Sequence, residues 1–243
     1  MPTPRSIPAL ACAAAVALLA ALPLARAHAA ASGSDDLARA LARAAPAADP
    51  EVLVLATRAL RCVQRTMPAN ILSVIDYSKP STERRLWVFD VGRRQLLFHE
   101  LVAHGRNSGA NFARRFSNVP GSLESSLGTF VTDGTYTGHD GYSLRLKGVD
   151  GHFNDNAESR AIVIHGASYV NPSLARSQGR IGRSFGCPAV RQGVAHRLID
   201  TIRDHSVVFA YYPDRQWLQG SRMLGDCTGN LVQAAASPAP RAR

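Results

Sequence analysis

Between residues 71 and 211 the apolar side chains come in short, often β-branched runs separated by clusters of glycine, proline and serine. The runs at 71–77, 85–91, 95–102, 129–132, 143–146, 161–164 and 207–211 alternate or stay wholly apolar, and none shows the 3.6-residue recurrence of a helix. A chain so patterned must pair its segments into sheets. Residues 86–98, Leu-Trp-Val-Phe-Asp-Val-Gly-Arg-Arg-Gln-Leu-Leu-Phe, read as a hairpin closed by a short glycine-containing loop. The run at 161–164 is apolar throughout, which predicts a central strand. Gly134, Gly138 and Gly141 predict turns around Tyr136 and Tyr142. Residues 105–127 form a long polar connection, and so long a loop in a compact domain is more often functional than idle. Helical spacing occurs only at the flanks. Val52, Leu53, Ala56, Leu60 and Val63 follow Pro50, and Val194, Leu198, Ile199 and Ile202 lie within 192–205. The expected fold class is mainly β with flanking helices (α+β).

The first 29 residues read as a signal peptide. Arg5 precedes an Ala/Leu-rich apolar stretch, and Ala27-His28-Ala29 supplies a small-residue cleavage box. No other stretch is long and apolar enough to cross a membrane, so an exported, periplasmic or envelope-associated protein with no span after cleavage is expected. Residues 30–49, rich in Ala, Ser and Pro, read as a linker with room for a weak helix over 35–43, residues 50–225 as the folded domain, and 226–243 as a tail disordered at its end. Cleavage removes Arg5 and Arg26 and lowers the formal charge of +10 by two. A basic exported chain suits a polyanionic wall. Its arginines are scattered and no nucleic-acid motif accompanies them, so nucleic acid is not an expected partner.

Export also bears on the cysteines. Cys12 leaves with the signal, and Cys62, Cys187 and Cys227 remain, an odd number in an oxidising compartment. Pairing Cys62 with Cys227 would tie together the two ends of the domain and leave Cys187 free; the alternative is three unpaired thiols.

Cys187 lies in Gly182-Arg-Ser-Phe-Gly-Cys-Pro. A glycine before a cysteine allows a sharp turn that exposes backbone N–H groups beside the sulfur, where they can hold an oxyanion. Arg183, and a helix expected to start after Pro188, would both favour a thiolate. His165 follows an apolar strand, a position from which a scaffold presents a titratable group to a cleft. The remaining histidines have no metal-ligand spacing with cysteines or acids, and phosphate-loop and dinucleotide motifs are absent, so neither metal nor cofactor is expected.

His165-Gly-Ala, a spacer at 168–183 and then Ser184-Phe185-Gly186-Cys187 resemble the signature of the L,D-transpeptidase (YkuD-type) family, His-x-x, spacer, Ser/Thr-His-Gly-Cys. Phe185 stands where most members carry a second histidine. The chain is most similar to the murein L,D-transpeptidase catalytic-domain branch, over residues 70–212, through Ala103-His-Gly, Ser125-Ser-Leu-Gly, Gly141-Tyr-Ser-Leu-Arg-Leu and Gly182-Arg-Ser-Phe-Gly-Cys-Pro-Ala. The resemblance implies a β-sandwich or barrel catalytic domain, Cys187 as nucleophile, His165 as base, and Ser184, Phe185 and Gly186 as the oxyanion turn. It implies acyl transfer on peptidoglycan stem peptides: attack before the terminal D-Ala, then resolution by an amine (3→3 cross-link) or by water (carboxypeptidase). A non-catalytic peptidoglycan-binding protein and a wall cysteine endopeptidase are the competing readings. Arg183, Arg160 and Asn154 read either as substrate-side groups or as loop caps, and Tyr142 as cleft wall or sheet packing.

Overall fold

The computed structural model describes residues 35–225 and Cys227. The proposed signal peptide and nearly all of the tail lie outside the described residues. Nine strands form one sheet in the order β3-β2-β1-β9-β5-β6-β7-β8-β4. They are β1 (Ile71–Asp76), β2 (Leu86–Asp90), β3 (Gln95–Glu100), β4 (Val102–Ala103), β5 (Gly128–Gly138), β6 (Gly141–Gly148), β7 (Val163–Ala167), β8 (Ala189–Arg191) and β9 (Val207–Tyr211). Two pairs are parallel, β1 with β9 and β7 with β8; the others are antiparallel.

The two edge strands, β3 and β4, are separated in sequence by Leu101 alone. Opposite ends of a sheet can be joined by one residue only if the sheet curls round on itself, so the architecture is a nearly closed barrel. The seam is tied by polar groups. Arg191 at the end of β8 donates two hydrogen bonds, 2.7 and 2.6 Å, to the Glu100 carboxylate at the end of β3. Arg85, fully buried just before β2, donates to the Val102 carbonyl through Nε and Nη2.

Helices flank the sheet: α1 over 35–44, α2 (Pro50–Gln64), α3 (Pro172–Gln178), α4 (Gln192–Ile202) and α5 (Arg215–Gly220). Asp49 caps α2 by accepting from the Glu51 N–H, Pro50 fills its first turn, and its apolar face packs on β1 and β9. The α4 helix lies across β6, β7 and β8, close enough that a Cβ on Gly166 would stand 2.7 Å from the Ala195 Cβ.

Several expectations are corrected. Residues 35–44 are helical, and Ala38, Leu41, Ala45 and Ala48 are buried, so most of the expected 30–49 linker belongs to the folded body. Alanines bury little area each, so the weak helix read at 35–43 gave no sign in the sequence of joining the core. The short strands expected at 129–132 and 143–146 are the bases of the long β5–β6 hairpin, which carries its pairing to Gly138 and Gly141. The apolar run at 161–164 leads into β7, which is buried throughout and paired on both sides, with β6 and β8, so it is an interior strand. No helix among the described residues is long and apolar enough to cross a membrane.

Candidate active site

The His165–Cys187 pair is set by register. His165 lies in the middle of β7, not beyond its end, opposite Ala189 of β8 and Ser143 of β6. Cys187 precedes Ala189 by two residues, and its thiol is held against Val163, two residues before His165. The Val163 N–H points at Sγ at 3.5 Å, and Sγ–H donates to the Ala161 carbonyl at 3.6 Å. The thiol is thus anchored one strand repeat, about 6.6 Å along β7, before His165. Ala161 itself has φ 53°, a left-handed conformation that costs a non-glycine residue about 1 kcal/mol. His165 is buried, and its Nδ1 lies 3.2 Å from the Gly166 carbonyl. That carbonyl can only accept, so Nδ1 carries the proton and Nε2 keeps a lone pair for a proton transfer.

The turn before Cys187 is closed on itself. Ser184 Oγ donates to the Cys187 carbonyl at 2.6 Å and accepts from the Gly186 N–H at 3.1 Å. Gly186 has φ 132°, and a Cβ there would lie 3.0 Å from the Glu124 carbonyl oxygen, so only glycine fits. The Gly186 N–H, expected from the sequence to help hold an oxyanion, is therefore taken by Ser184; the Cys187 N–H is the donor left beside the sulfur. Nor does a helix begin after Pro188. Residues 189–191 pair as β8, and α4 starts only at Gln192. Burial pushes the Cys187 thiol up from its ordinary value, aided by the Asp140 carboxylate and opposed by the Val163 N–H and the Arg160 guanidinium. The shift runs against the thiolate that Arg183 and such a helix would favour.

Phe185 is 69% exposed, with the Arg106 guanidinium 5.0 Å above its ring. It projects to solvent from the turn and fills no part of the core.

The four outlying residues have other work. Arg160 spends its guanidinium on the Ser117 and Glu124 carbonyls and the Ser122 and Ser126 hydroxyls. It clamps the 117–126 loop beneath Gly186. Arg183 ties down the 105–113 segment through the Arg106 and Gly109 carbonyls. Asn154 is fully buried, donating to the Thr129 carbonyl and accepting from the Asp150 N–H, and has no access to a cleft. Tyr142 stacks on His196 of α4 at 4.5 Å and donates to Asp200 at 2.7 Å, on the opposite face of β6 from Ser143. Cys62 and Cys227 form a disulfide across a sequence separation of 165, and Cys187 is the free thiol among the described residues.

A buried polar network supports the turn from below. Ser125 Oγ donates to the Gly186 carbonyl and accepts from the Gly105 N–H, both at 3.0 Å. Ser184 N–H donates to the His104 carbonyl, and Arg106 N–H to the Ser184 carbonyl. His104 is fully buried. Arg85 Nη2 donates to its Nδ1 at 2.7 Å, so Nε2 carries the proton and donates to the Gly109 carbonyl. Burial, then the Arg85 and Arg183 charges, push His104 down to about 4. Tyr77, its ring 5.1 Å from the Arg85 guanidinium, is pushed up to about 12 by burial. The Ser125 and His104 segments stand out in the sequence, but their supporting role does not, because the contacts link residues tens of positions apart. Arg85 carries no sequence signal at all.

Beside the thiol a cleft of 680 Å³ opens between the β5–β6 hairpin and the 158–163 segment. Its walls include Tyr136, Arg145, Glu158 and Val163. Tyr136 thus holds the cleft position that the sequence also allowed for Tyr142.

No curated protein matches the chain. Among solved structures, an L,D-transpeptidase from Mycobacterium smegmatis is similar at 15% identity and a TM-score of 0.37, the match covering 59% of each chain. L,D-transpeptidase 1 of Mycobacterium tuberculosis matches at 12% identity and a TM-score of 0.33, over 59% of this chain and 62% of that one. An L,D-transpeptidase (Yku) from Stackebrandtia nassauensis matches at 11% identity and a TM-score of 0.37, over 75% of this chain and 92% of that one. The chain thus spans about three fifths of the length of the mycobacterial proteins. A family model described as L,D-transpeptidase catalytic domain matches residues 44–211, which include the turn, both reactive side chains and all nine strands. With most of its length inside that match, the chain belongs to the L,D-transpeptidase catalytic domain family.

Proposed function

We propose that this chain is an exported cysteine acyl-transferase acting on peptidoglycan stem peptides. The observation that carries the reading is a free thiol held against Val163, two residues before the buried His165 of β7, beside a cleft that Val163 also lines. His165 Nε2 takes the Cys187 proton as Sγ attacks the carbonyl before the terminal D-Ala. The Cys187 N–H faces the oxyanion; one such donor is typically worth about 3 kcal/mol. The tetrahedral adduct collapses, the C–N bond breaks, and the imidazolium returns the proton to the departing D-Ala amine. An amine of a second stem then attacks the thioester, loses its proton to His165 and displaces Cys187, giving a 3→3 cross-link. Water in the same place makes the enzyme an L,D-carboxypeptidase. The net positive charge suits an anionic wall. Export is supported by the signal-like residues 1–29 and by the Cys62–Cys227 disulfide, which belongs in an oxidising compartment.

The test is mass analysis of muropeptides incubated with wild type and with Cys187→Ser. Released D-Ala and 3→3 dimers from wild type alone are expected; neither product from wild type sinks the reading. Cleavage of internal stem bonds instead would make the protein an endopeptidase. Phe185 and the protonated thiol favour a second reading, a wall-binding protein without turnover. A carbapenem adduct on Cys187, absent from Cys187→Ala, counts against it.

A further inference from the structure

Phe185 is spent neither on the core nor on the cleft beside the thiol. Among the described residues four large apolar side chains are exposed, and Phe185, at 69%, is the most open of them. Its backbone is nonetheless pinned on both sides. Ser184, just before it, forms a bridge with Gly105 and accepts from the Arg106 N–H at 2.8 Å. Gly186, just after it, donates its N–H to Ser184 Oγ, and its carbonyl accepts from Ser125 Oγ. Arg183 Nη1 donates to the Arg106 carbonyl at 3.0 Å. This pairing sets the Arg106 guanidinium 5.0 Å from the centroid of the Phe185 ring. Among the described residues that guanidinium has no carboxylate and no hydrogen-bond acceptor of its own.

A ring so held has one face under the cation and the other open to solvent. A rigid aromatic face loses little freedom when something stacks on it. Beside it stand guanidinium N–H groups with no acceptor. A flat apolar face bordered by hydrogen-bond donors matches a pyranose ring, which presents C–H bonds on its face and hydroxyl and acetamido oxygens at its rim. Membrane and protein docking sites are marked instead by contiguous apolar patches on the order of several hundred Å², and one phenyl ring capped by a guanidinium does not supply that. Reach agrees with a sugar. A stem peptide hangs from an amino sugar of the glycan strand, three residues from the carbonyl that Cys187 attacks, about 10 Å of extended chain. Phe185 lies two residues from Cys187, at most about 7 Å of backbone, and its side chain projects outward from there.

We propose that Phe185, capped by Arg106, is a stacking site for the amino sugar that carries the donor stem, so that the protein takes its donor from the glycan strand in preference to free peptide. The proposal rests on the acyl-transfer reading for its ligand, but its geometry concerns binding, not the reaction.

The test compares two ligands that share one stem: a free tetrapeptide and the same tetrapeptide on its disaccharide. Binding to full-length Cys187→Ala is measured by calorimetry, and acylation of wild type by intact mass. The disaccharide ligand is expected to bind at least tenfold more tightly than the free peptide. With Phe185→Ala added to Cys187→Ala the two ligands should come within twofold of each other, whereas Phe185→Trp should keep the gap and Arg106→Gln should narrow it. Equal binding of the two ligands to Cys187→Ala, or a gap undiminished by Phe185→Ala, overturns the site. So does Phe185-dependent binding to phosphatidylglycerol vesicles with no preference between the ligands, which would assign the ring to a membrane. Failure of both ligands to acylate wild type, with the sugar preference intact, overturns acyl transfer and leaves the sugar site standing.

Discussion

Cys187 sits where burial and a nearby carboxylate keep its thiol protonated, while an N–H and a guanidinium pull the other way. A nucleophile so placed needs its proton taken at the moment of attack, which suits His165 with Nε2 as acceptor. Alkylation of Cys187 should rise with a midpoint above the ordinary thiol value, and in Arg160→Met the midpoint should lie higher still; a midpoint left unchanged or lowered by the substitution would show that Arg160 does not favour the thiolate. His104 makes a prediction of opposite kind. Its folded-state value of about 4 lies below the 6.5 of an unfolded histidine. A depressed value contributes stability that is fully present above pH 6.5 and lost as pH falls through 4, up to about 3 kcal/mol. Asp76 and Asp150, both raised by burial, work against that loss at the acid end of the window. Thermal melting followed from pH 7 to pH 4 should show the decline, and His104→Gln should flatten it.

At the scale of the element, the nucleophile turn cannot be understood from its own four residues. Ser184 closes it from within, but Ser125 and the 104–106 segment hold it from outside. Ser125→Ala would leave the Gly186 carbonyl and the Gly105 N–H without their buried partner. The expected cost is about 2 kcal/mol of stability. It should come with slower acylation of Cys187, measured by stopped-time mass spectrometry; unchanged acylation at reduced stability would confine Ser125 to a structural role. The turn's glycine was legible from sequence because a φ of 132° beside a close carbonyl is a local demand. The clamp formed by Arg160 was not. The same guanidinium in a sequence fits a substrate anchor or a loop staple, and only the positions of four acceptors from the 117–126 loop decide. Tyr142 and Tyr136 make the same point, since hairpin register sends one to α4 and the other to the cleft.

The whole molecule is a curled sheet with three long-range ties: the Glu100–Arg191 pair at the seam, the buried Arg85 against the Val102 carbonyl, and the Cys62–Cys227 disulfide from α2 to the C-terminal end. A cross-link over a separation of 165 residues removes much of the unfolded chain's freedom. Cys227→Ser should cost about 2 to 4 kcal/mol and lower the melting temperature by about 5 to 15 °C. Calorimetry with and without reductant checks this, and insensitivity of wild type to reductant would refute it. The sequence by itself determined the strand-rich class, the flanking helices at 50 and 192, and the His165–Cys187 constellation, because periodicity, turn residues and motif spacing are short-range properties of the chain. Tertiary structure alone decided that the edge strands meet, that 35–44 joins the core, which arginines are spent on carbonyls, and that Arg106 is set over the exposed ring of Phe185. Those outcomes depend on which polar groups find partners across the barrel, and such partners are distant in sequence.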